Sequence, residues 1–182
     1  MKLVAVLAVA AAAMAGAAVQ EMPAAPEVQE QHRWLEQLVG EWAVTTEATM
    51  EPGTPPTRWE ASESVRSLGG VWLLAETSAS NDGMPFTAIM LLGYDSEKQA
   101  FVGSWADTLQ THLWSYRGTL DGTKKILTLE TEGPAFGDPT KTAQYRDAIE
   151  IVSPDHKVLT SSAQQEDGSW TTFMRADYHR KQ

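Results

Sequence analysis

Short β-type segments separated by turn residues dominate the chain after Gly40, and this rhythm limits the available folds more than any other feature. The segments are rich in Val, Ile, Thr, Trp, Tyr and Phe. Clusters of Gly, Pro, Asn and Asp divide them, for example NDGMP (81–85), LDGTK (120–124) and EDGS (166–169). These residue types supply positive φ angles or preset turn geometry. No helical period is sustained beyond Gly40, so the sequence predicts an all-β domain.

Several of these segments alternate as strands with two different faces do. Phe101, Gly103, Trp105 and Asp107 share one face of a segment, and the residues between them share the other. The connections between segments are short, which favours antiparallel neighbours. A closed barrel also removes exposed strand edges. We therefore predict a single up-and-down antiparallel β-barrel of about ten strands.

A short helix is predicted in front of the first strand. Trp34, Leu35, Leu38 and Val39 recur at helical spacing, and Gly40 ends the pattern. The tryptophan at position 42 follows at once, and we expect its indole to point back under the helix and close one end of the barrel. The barrel domain with its helical plug is placed at residues 32–182.

The chain ahead of this domain has a different character. Residues 1–18 combine Lys2, an apolar run and small residues, as secretory signal peptides do. Residues 19–31 are rich in Pro, Ala, Glu and Gln without an apolar period, which predicts a flexible tether. We expect an exported protein, periplasmic or secreted, and a membrane-anchored N-terminus is the alternative. The chain contains no cysteine, so the barrel would be held together without disulfides.

Charge narrows the classes of partner. The formal net charge is −10, and the acidic residues are interspersed along the chain. An acidic surface repels phosphate backbones and anionic head groups, which argues against nucleic acid and membrane partners. A small molecule is the partner that we expect, while the oligomeric state stays open.

The chain also resembles known barrels. Gly40-x-Trp42 after a short helix is similar to the opening signature of the calycin superfamily, which includes lipocalins and fatty-acid-binding proteins. More specifically, the chain resembles a bacterial family of exported proteins of unknown function with a lipocalin-like barrel. The segments that carry this resemblance are LVGEW (38–42), PGTPP (52–56), LGGVWLLAE (68–76), GMPF (83–86), LGYD (92–95), WADT (105–108) and Tyr178-x-Arg180. In TAIMLLGYD (87–95), bulky residues replace expected glycines, which would narrow any cavity.

The resemblance implies a structural signature made of Gly40, Trp42 and Arg180. Calycins place a basic side chain from the last strand across the signature indole, and Arg180 matches that position. We therefore expect Arg180 to stack on Trp42 and to bond to carbonyl groups of the helix, with a structural role.

Polar residues on strands among aromatic residues suggest a ligand site, because a buried charge needs a partner. The leading hypothesis is that a small, partly apolar ligand binds inside the barrel. Arg146 or Arg175 would meet an anionic group. Exposed charges at the barrel rims, or a satisfied internal network, are the alternatives. The candidate cavity wall consists of Trp72, Glu76, Met90, Trp105, Asp107, Arg146, Met174 and Tyr178.

Three other functions stay open at this point. No cofactor is expected from the pattern of the four histidines, which lack metal-binding spacing. Nitrobindin-type barrels hold haem through a histidine near the C-terminus, however, so His179 is a candidate haem ligand. An enzyme could use Glu76 and Asp107 as an acid–base pair. A filled barrel with an outer tryptophan surface could serve as an interaction module.

Overall fold

A computed structural model describes residues 25–49, 53–81 and 83–182. The predicted signal peptide and the first part of the predicted tether lie outside these residues. Helix α1 (Glu30–Leu35) begins inside the segment that was predicted as a tether, and it continues as a 3-10 turn over Glu36–Leu38. Within the described residues, no helix has the length and apolar character that crossing a bilayer requires.

Ten antiparallel strands follow in the described part of the chain, and each pairs with its neighbours in sequence. The first strand pairs with the last, which closes the sheet. The predicted up-and-down barrel with a helical plug is therefore confirmed. The strands are β1 (Gly40–Ala48), β2 (Thr57–Leu68), β3 (Trp72–Asn81), β4 (Met84–Asp95), β5 (Ala100–Asp107), β6 (Trp114–Leu120), β7 (Ile126–Ala135), β8 (Asp138–Ser153), β9 (His156–Gln164) and β10 (Trp170–Arg180).

The register between strands decides which side chains point into the barrel. Trp42 on β1 lies opposite Glu63 on β2, and Glu63 lies opposite Thr77 on β3; all three are buried. Directly paired residues share a face of the sheet. The same alternation places Met90 of β4 and Trp105 of β5 on the inner face, where they are paired with each other.

Apolar packing is densest at the end of the barrel where α1 sits, which we call the plug end. Trp34, Leu35 and Leu38 of the plug are buried together with Trp42 and Phe101 of the barrel. The Trp34 indole packs edge-on against Phe101 and donates a 2.8 Å hydrogen bond to the carbonyl oxygen of Lys124. The plug is thus fixed to the barrel by apolar contacts and by a directional bond.

Arg180 ties the last strand to this end, as predicted. Its guanidinium carbon lies 4.2 Å from the centroid of the Trp42 ring. The same group donates hydrogen bonds to the carbonyl oxygens of Val39 at 2.6 Å and Gln37 at 3.2 Å. Gly40 has a φ of +137°, and a Cβ atom there would collide with the Arg180 guanidinium. Glycine is required at this position for both reasons.

Candidate functional site

At the opposite end of the barrel, which we call the open end, the odd-numbered strands β1 to β9 finish and the even-numbered strands β2 to β10 begin. Side chains that point inward near this end keep part of their surface exposed. We call this region the open half; its partly exposed inward residues include Trp59, Trp105, Asp107, Trp114, Asp147 and Met174. Large apolar side chains are exposed around the rim, namely Met84, Leu109, Leu113 and Phe136. The rim therefore offers an apolar approach to the interior.

A small cavity of about 50 Å³ lies inside the barrel. Its wall is mostly apolar and includes Leu38 of the plug, Met90, Trp105 and Tyr178. A volume of this size holds a few water molecules or a group of a few heavy atoms. It is smaller than the ~300–1,000 Å³ of typical drug-sized ligand sites. The remaining wall residues are Glu63, Val65, Leu73, Ala75, Leu92, Ile149, Lys157, Val158 and Leu159.

A buried ion pair forms the polar part of this wall. Lys157 Nζ lies 2.6 Å from Glu63 Oε1, and the two side chains are only 7% and 8% exposed. Thr77 donates a 3.3 Å hydrogen bond to the other Glu63 oxygen. The Lys157 ammonium also lies 4.6 Å from the ring centroids of Trp42 and Tyr178. Burial lowers the pKa of Lys157, and the neighbouring Glu63 carboxylate opposes that shift.

A second polar group lies beside the first. The Tyr116 hydroxyl donates a 2.6 Å hydrogen bond to Asp147 Oδ2, and Ser161 also bonds to this carboxyl. Burial raises the pKa of Asp147, although the bonds from Ser161 and Tyr116 oppose the shift. The pKa of Tyr178 is raised by burial and then by the charges of Glu63 and Asp147, so both polar groups act on one side chain.

A third inward carboxyl group, after those of Glu63 and Asp147, belongs to Asp107, the last residue of β5. It accepts hydrogen bonds from the Trp105 indole at 3.1 Å, the Leu109 amide at 2.8 Å and the Gln110 side chain at 3.0 Å. These bonds fix the carboxyl next to the Trp105 ring. The pKa of Tyr116 is raised first by burial, then by Asp147, with a smaller contribution from the charge of Asp107.

Two buried polar atoms near this region have no hydrogen-bond partner among the described residues. They are Thr131 Oγ1 and His112 Nε2. Thr131 is only 6% exposed. Its chain neighbour Glu130 pairs with Arg117, so Thr131 lies beside Tyr116 on the inner face. Unsatisfied buried polar atoms are uncommon in folded proteins and call for a partner.

The structure places three residues of the predicted wall against the cavity. Met90, Trp105 and Tyr178 line the cavity. Asp107 and Met174 face inward in the open half, outside the cavity wall.

Trp72, Glu76 and Arg146 lie on the outer face of the barrel, so their place in the predicted wall is corrected. Trp72 is 36% exposed and covers Gly93 from outside. Glu76 is exposed next to buried Ala75 and Thr77. Arg146 pairs with Glu130 at 2.9 Å and stacks on Trp170 at 4.1 Å. Successive side chains of a strand point to opposite faces of the sheet. A prediction that is wrong by one position in the strand therefore places an outer residue in the interior.

Four polar residues of the interior were not predicted from the sequence, namely Glu63, Tyr116, Asp147 and Lys157. A signal for two of them was present in the strand pattern. Asp147 is in phase with the buried residues Tyr145 and Ile149, and Glu63 is in phase with buried Val65. A charged residue in the apolar phase of a strand is therefore the informative pattern in this fold.

The residues on which the haem and enzyme hypotheses depend do not lie together inside the barrel. His179 is exposed on the outer face, where its ring stacks on His156 with centroids 4.5 Å apart. Glu76 and Asp107 lie on opposite faces of the sheet and cannot form an acid–base pair. No cluster of three or more His, Asp or Glu side chains suited to a metal ion occurs within residues 25–49, 53–81 and 83–182.

Comparison with known proteins gives a family for this architecture. Residues 27–180 match the family described as "Protein of unknown function (DUF1579)". The chain belongs to this family. A search of curated proteins gave no match.

Solved structures share the fold of this family member. Rv2717c from M. tuberculosis superposes with a TM-score of 0.54 at 17% identity, covering 86% of this chain and 100% of that one. The S-type phycobiliprotein lyase CPES from Guillardia theta superposes with a TM-score of 0.56 at 10% identity, covering 82% and 92%. At these identities the similarity establishes the barrel fold.

Proposed function

We propose that this protein binds a small, partly apolar ligand inside its barrel, and that the ligand enters through the open end. The observation that carries the proposal is the buried ion pair Glu63–Lys157 in the cavity wall. Asp147 lies close enough that its charge, like that of Glu63, raises the pKa of Tyr178. Buried ion pairs contribute little to stability compared with apolar residues of similar volume. A role in ligand binding therefore accounts for this pair better than stability does.

Access to the interior supports the same conclusion. The inward residues of the open half keep exposed surface, and exposed apolar side chains surround the mouth. The cavity wall combines apolar residues with a few polar groups, which is the composition of small-molecule sites. The barrel is also the scaffold of a phycobiliprotein lyase, an association that rests on the fold alone.

We further propose that residues 1–18 direct export and that the mature protein is periplasmic or secreted. The support is the pattern of charge, apolar run and small residues in the sequence. N-terminal sequencing of the protein from fractionated cells tests this. A mature chain that begins just after residue 18 in the exported fraction is expected, and an intact N-terminus in the cytosolic fraction would contradict it.

Native mass spectrometry of the protein purified from its source organism tests ligand binding. We expect a bound mass that leaves on denaturation. Ala75→Phe, which fills the cavity, should remove that mass. Leu74→Phe, on the other face of the same strand, is the matched control and should keep it. A bare polypeptide mass under gentle conditions, repeated across preparations, would favour a filled barrel that acts as an interaction module.

A further inference from the structure

Two inward carboxyl groups of the open half have no cationic partner within the described residues. Asp107 is held by the Trp105 indole, a backbone amide and a side-chain amide. Asp147 is held by the hydroxyl groups of Tyr116 and Ser161. Both carboxyls are thus oriented by neutral donors, and neither forms an ion pair in that part of the chain.

The interior offers little to an anion. Lys157 is the buried cation among the described residues, and Glu63 already holds its ammonium at 2.6 Å. Arg180 is occupied at the plug end by the Trp42 ring and by backbone carbonyls. An anionic ligand in the open half would meet Asp107 and Asp147 without a free positive group to receive it.

The walls around the two carboxyls are suited to a cation in other ways. Trp105, Trp114 and Tyr116 present aromatic rings on the same inner face, and ring faces attract ammonium groups. Thr131 supplies an independent sign that a partner belongs here. It is more than nine-tenths buried, lies beside Tyr116, and its hydroxyl oxygen is unpartnered in the described structure. A hydroxyl oxygen can accept a hydrogen bond from an ammonium group.

We propose that the polar end of the ligand is a cationic amine, received between Asp107 and Asp147 in the open half, with its apolar part reaching toward the cavity. This inference rests on the proposed function, since it assigns a chemical class to the ligand of the same barrel. Few heavy atoms fit the cavity, so a short alkyl amine is the size class that the volume allows.

Three probes with four carbon atoms each test the class: n-butylamine, n-butanol and butyrate, each titrated calorimetrically against the full barrel. We expect n-butylamine to bind at least about tenfold more tightly than either of the others, since close charge pairs at binding sites carry coupling of that order. Asp147→Asn keeps the shape of the side chain and should weaken amine binding about tenfold or more. Glu150→Gln, an exposed position on the outer face of the same strand, is the control and should bind as the parent does.

The pH dependence gives a second readout that does not depend on the variant folding. The groups that face Asp147 are Tyr116 from β6, Ser161 from β9 and Tyr178 from β10, with Asp107 of β5 beyond Tyr116. The tyrosine pKa values are raised, so these groups stay neutral over the working range. Since burial raises the pKa of Asp147, amine binding should strengthen as the pH rises through that pKa.

The outcomes separate this inference from the proposed function. Preferred binding of butyrate or n-butanol would overturn the amine assignment and leave interior ligand binding in place. Binding of none of the three probes would also overturn the amine assignment. In that case, a bound mass in native spectra would preserve the proposed function. A bare polypeptide mass would instead contradict both the amine assignment and the proposed function. Amine binding that Asp147→Asn and pH leave unchanged would place the amine elsewhere and contradict the site.

Discussion

The two ends of this barrel differ in how deeply their inward side chains are buried. At the plug end, Trp34, Leu35 and Trp42 pack against barrel residues with almost no exposed surface. Toward the open end, Trp105 and Asp107 point into the same interior and yet remain partly exposed. The strands are continuous from one end to the other, so the difference lies in the side chains and in the helix that covers one end.

This contrast separates stability from function. Apolar burial at the plug end supplies the dominant favourable term of folding. The open half instead holds Asp147, whose burial raises its pKa and so costs free energy when the carboxyl is ionised. Such a cost is tolerated where a ligand makes use of the group. Substitutions in the two regions should therefore differ both in magnitude and in sign.

The largest expected effect is at the plug end. Trp42→Ala should lower the free energy of unfolding by about 4–5 kcal/mol, since it removes a large, fully buried ring from between two cationic groups. Trp105→Ala should cost only about 1–2 kcal/mol because the ring is already partly exposed. Urea denaturation of both variants measures this. Equal losses, or a larger loss at Trp105, would contradict the contrast between the two ends.

The buried ion pair should show the next largest effect. Lys157→Met leaves Glu63 buried without its cation and should cost about 3 kcal/mol. Replacing both residues, as in Glu63→Leu with Lys157→Met, should recover most of that loss because no unpaired charge remains. Arg58→Met, which breaks an exposed pair with Glu47, serves as the surface control and should change little. A single variant as stable as the parent would show that the pair is not buried as described.

A smaller effect is expected at the start of β1. Gly40→Ala combines a strained positive φ with a collision against Arg180, and it should cost about 1–3 kcal/mol. Gly122→Ala is the control, since a Cβ atom there meets open space without a positive φ. Thermal unfolding of the two variants distinguishes them. Equal melting temperatures would remove Gly40 and Arg180 from the account of how the plug end is fixed.

The smallest effect is expected at Asp147, where substitution should leave the free energy of unfolding unchanged or raise it. Burial raises the folded-state pKa of Asp147 above its unfolded value of about 3.9, so the folded protein holds that proton to higher pH. The contribution of this group to stability therefore falls as the pH rises through the folded pKa. Asp147→Asn should be as stable as the parent at low pH and equal or slightly more stable at neutral pH.

Asp177 on the outer face is the matched comparison. Burial would raise its pKa, but hydrogen bonds from Arg175 and His156 outweigh burial and lower it. Asp177 thus contributes stability above its unfolded pKa that is lost as the pH falls. Asp177→Asn should destabilise the protein at neutral pH, and melting curves from acid to neutral pH measure both variants. If Asp147→Asn were also destabilising at neutral pH, Asp147 would have a structural role.

The sequence carried most of the information about the fold and less about the site. The spacing of turn clusters predicted the barrel, and Gly40, Trp42 and Arg180 predicted how its plug end is closed. The sequence did not show which residues of each strand face the interior of the barrel. On β3 the inner face holds Leu73 and Ala75, while the outer face holds Trp72 and Leu74, so composition does not distinguish the faces.

The polar contacts of the interior form between strands that are distant in sequence. Glu63 and Lys157 are separated by 94 positions and meet only because the barrel closes. Tyr116 and Asp147 are separated by 31 positions and meet through the register of β6, β7 and β8. Neither contact follows from local pattern, and so the interior polar groups became visible only in the folded chain.

The seven tryptophans allow the central claim, that ligands enter the open half, to be tested directly. Their indole N–H resonances can be followed by ¹H–¹⁵N NMR during titration with n-butylamine and assigned with single Trp→Phe variants. We predict that the signals of the three inward tryptophans of the open half shift, namely Trp59, Trp105 and Trp114. The signals of Trp34 and Trp42 at the plug end and of Trp72 and Trp170 on the outer face should stay in place. Shifts confined to the plug end or the outer face, or no shifts at all, would contradict the account.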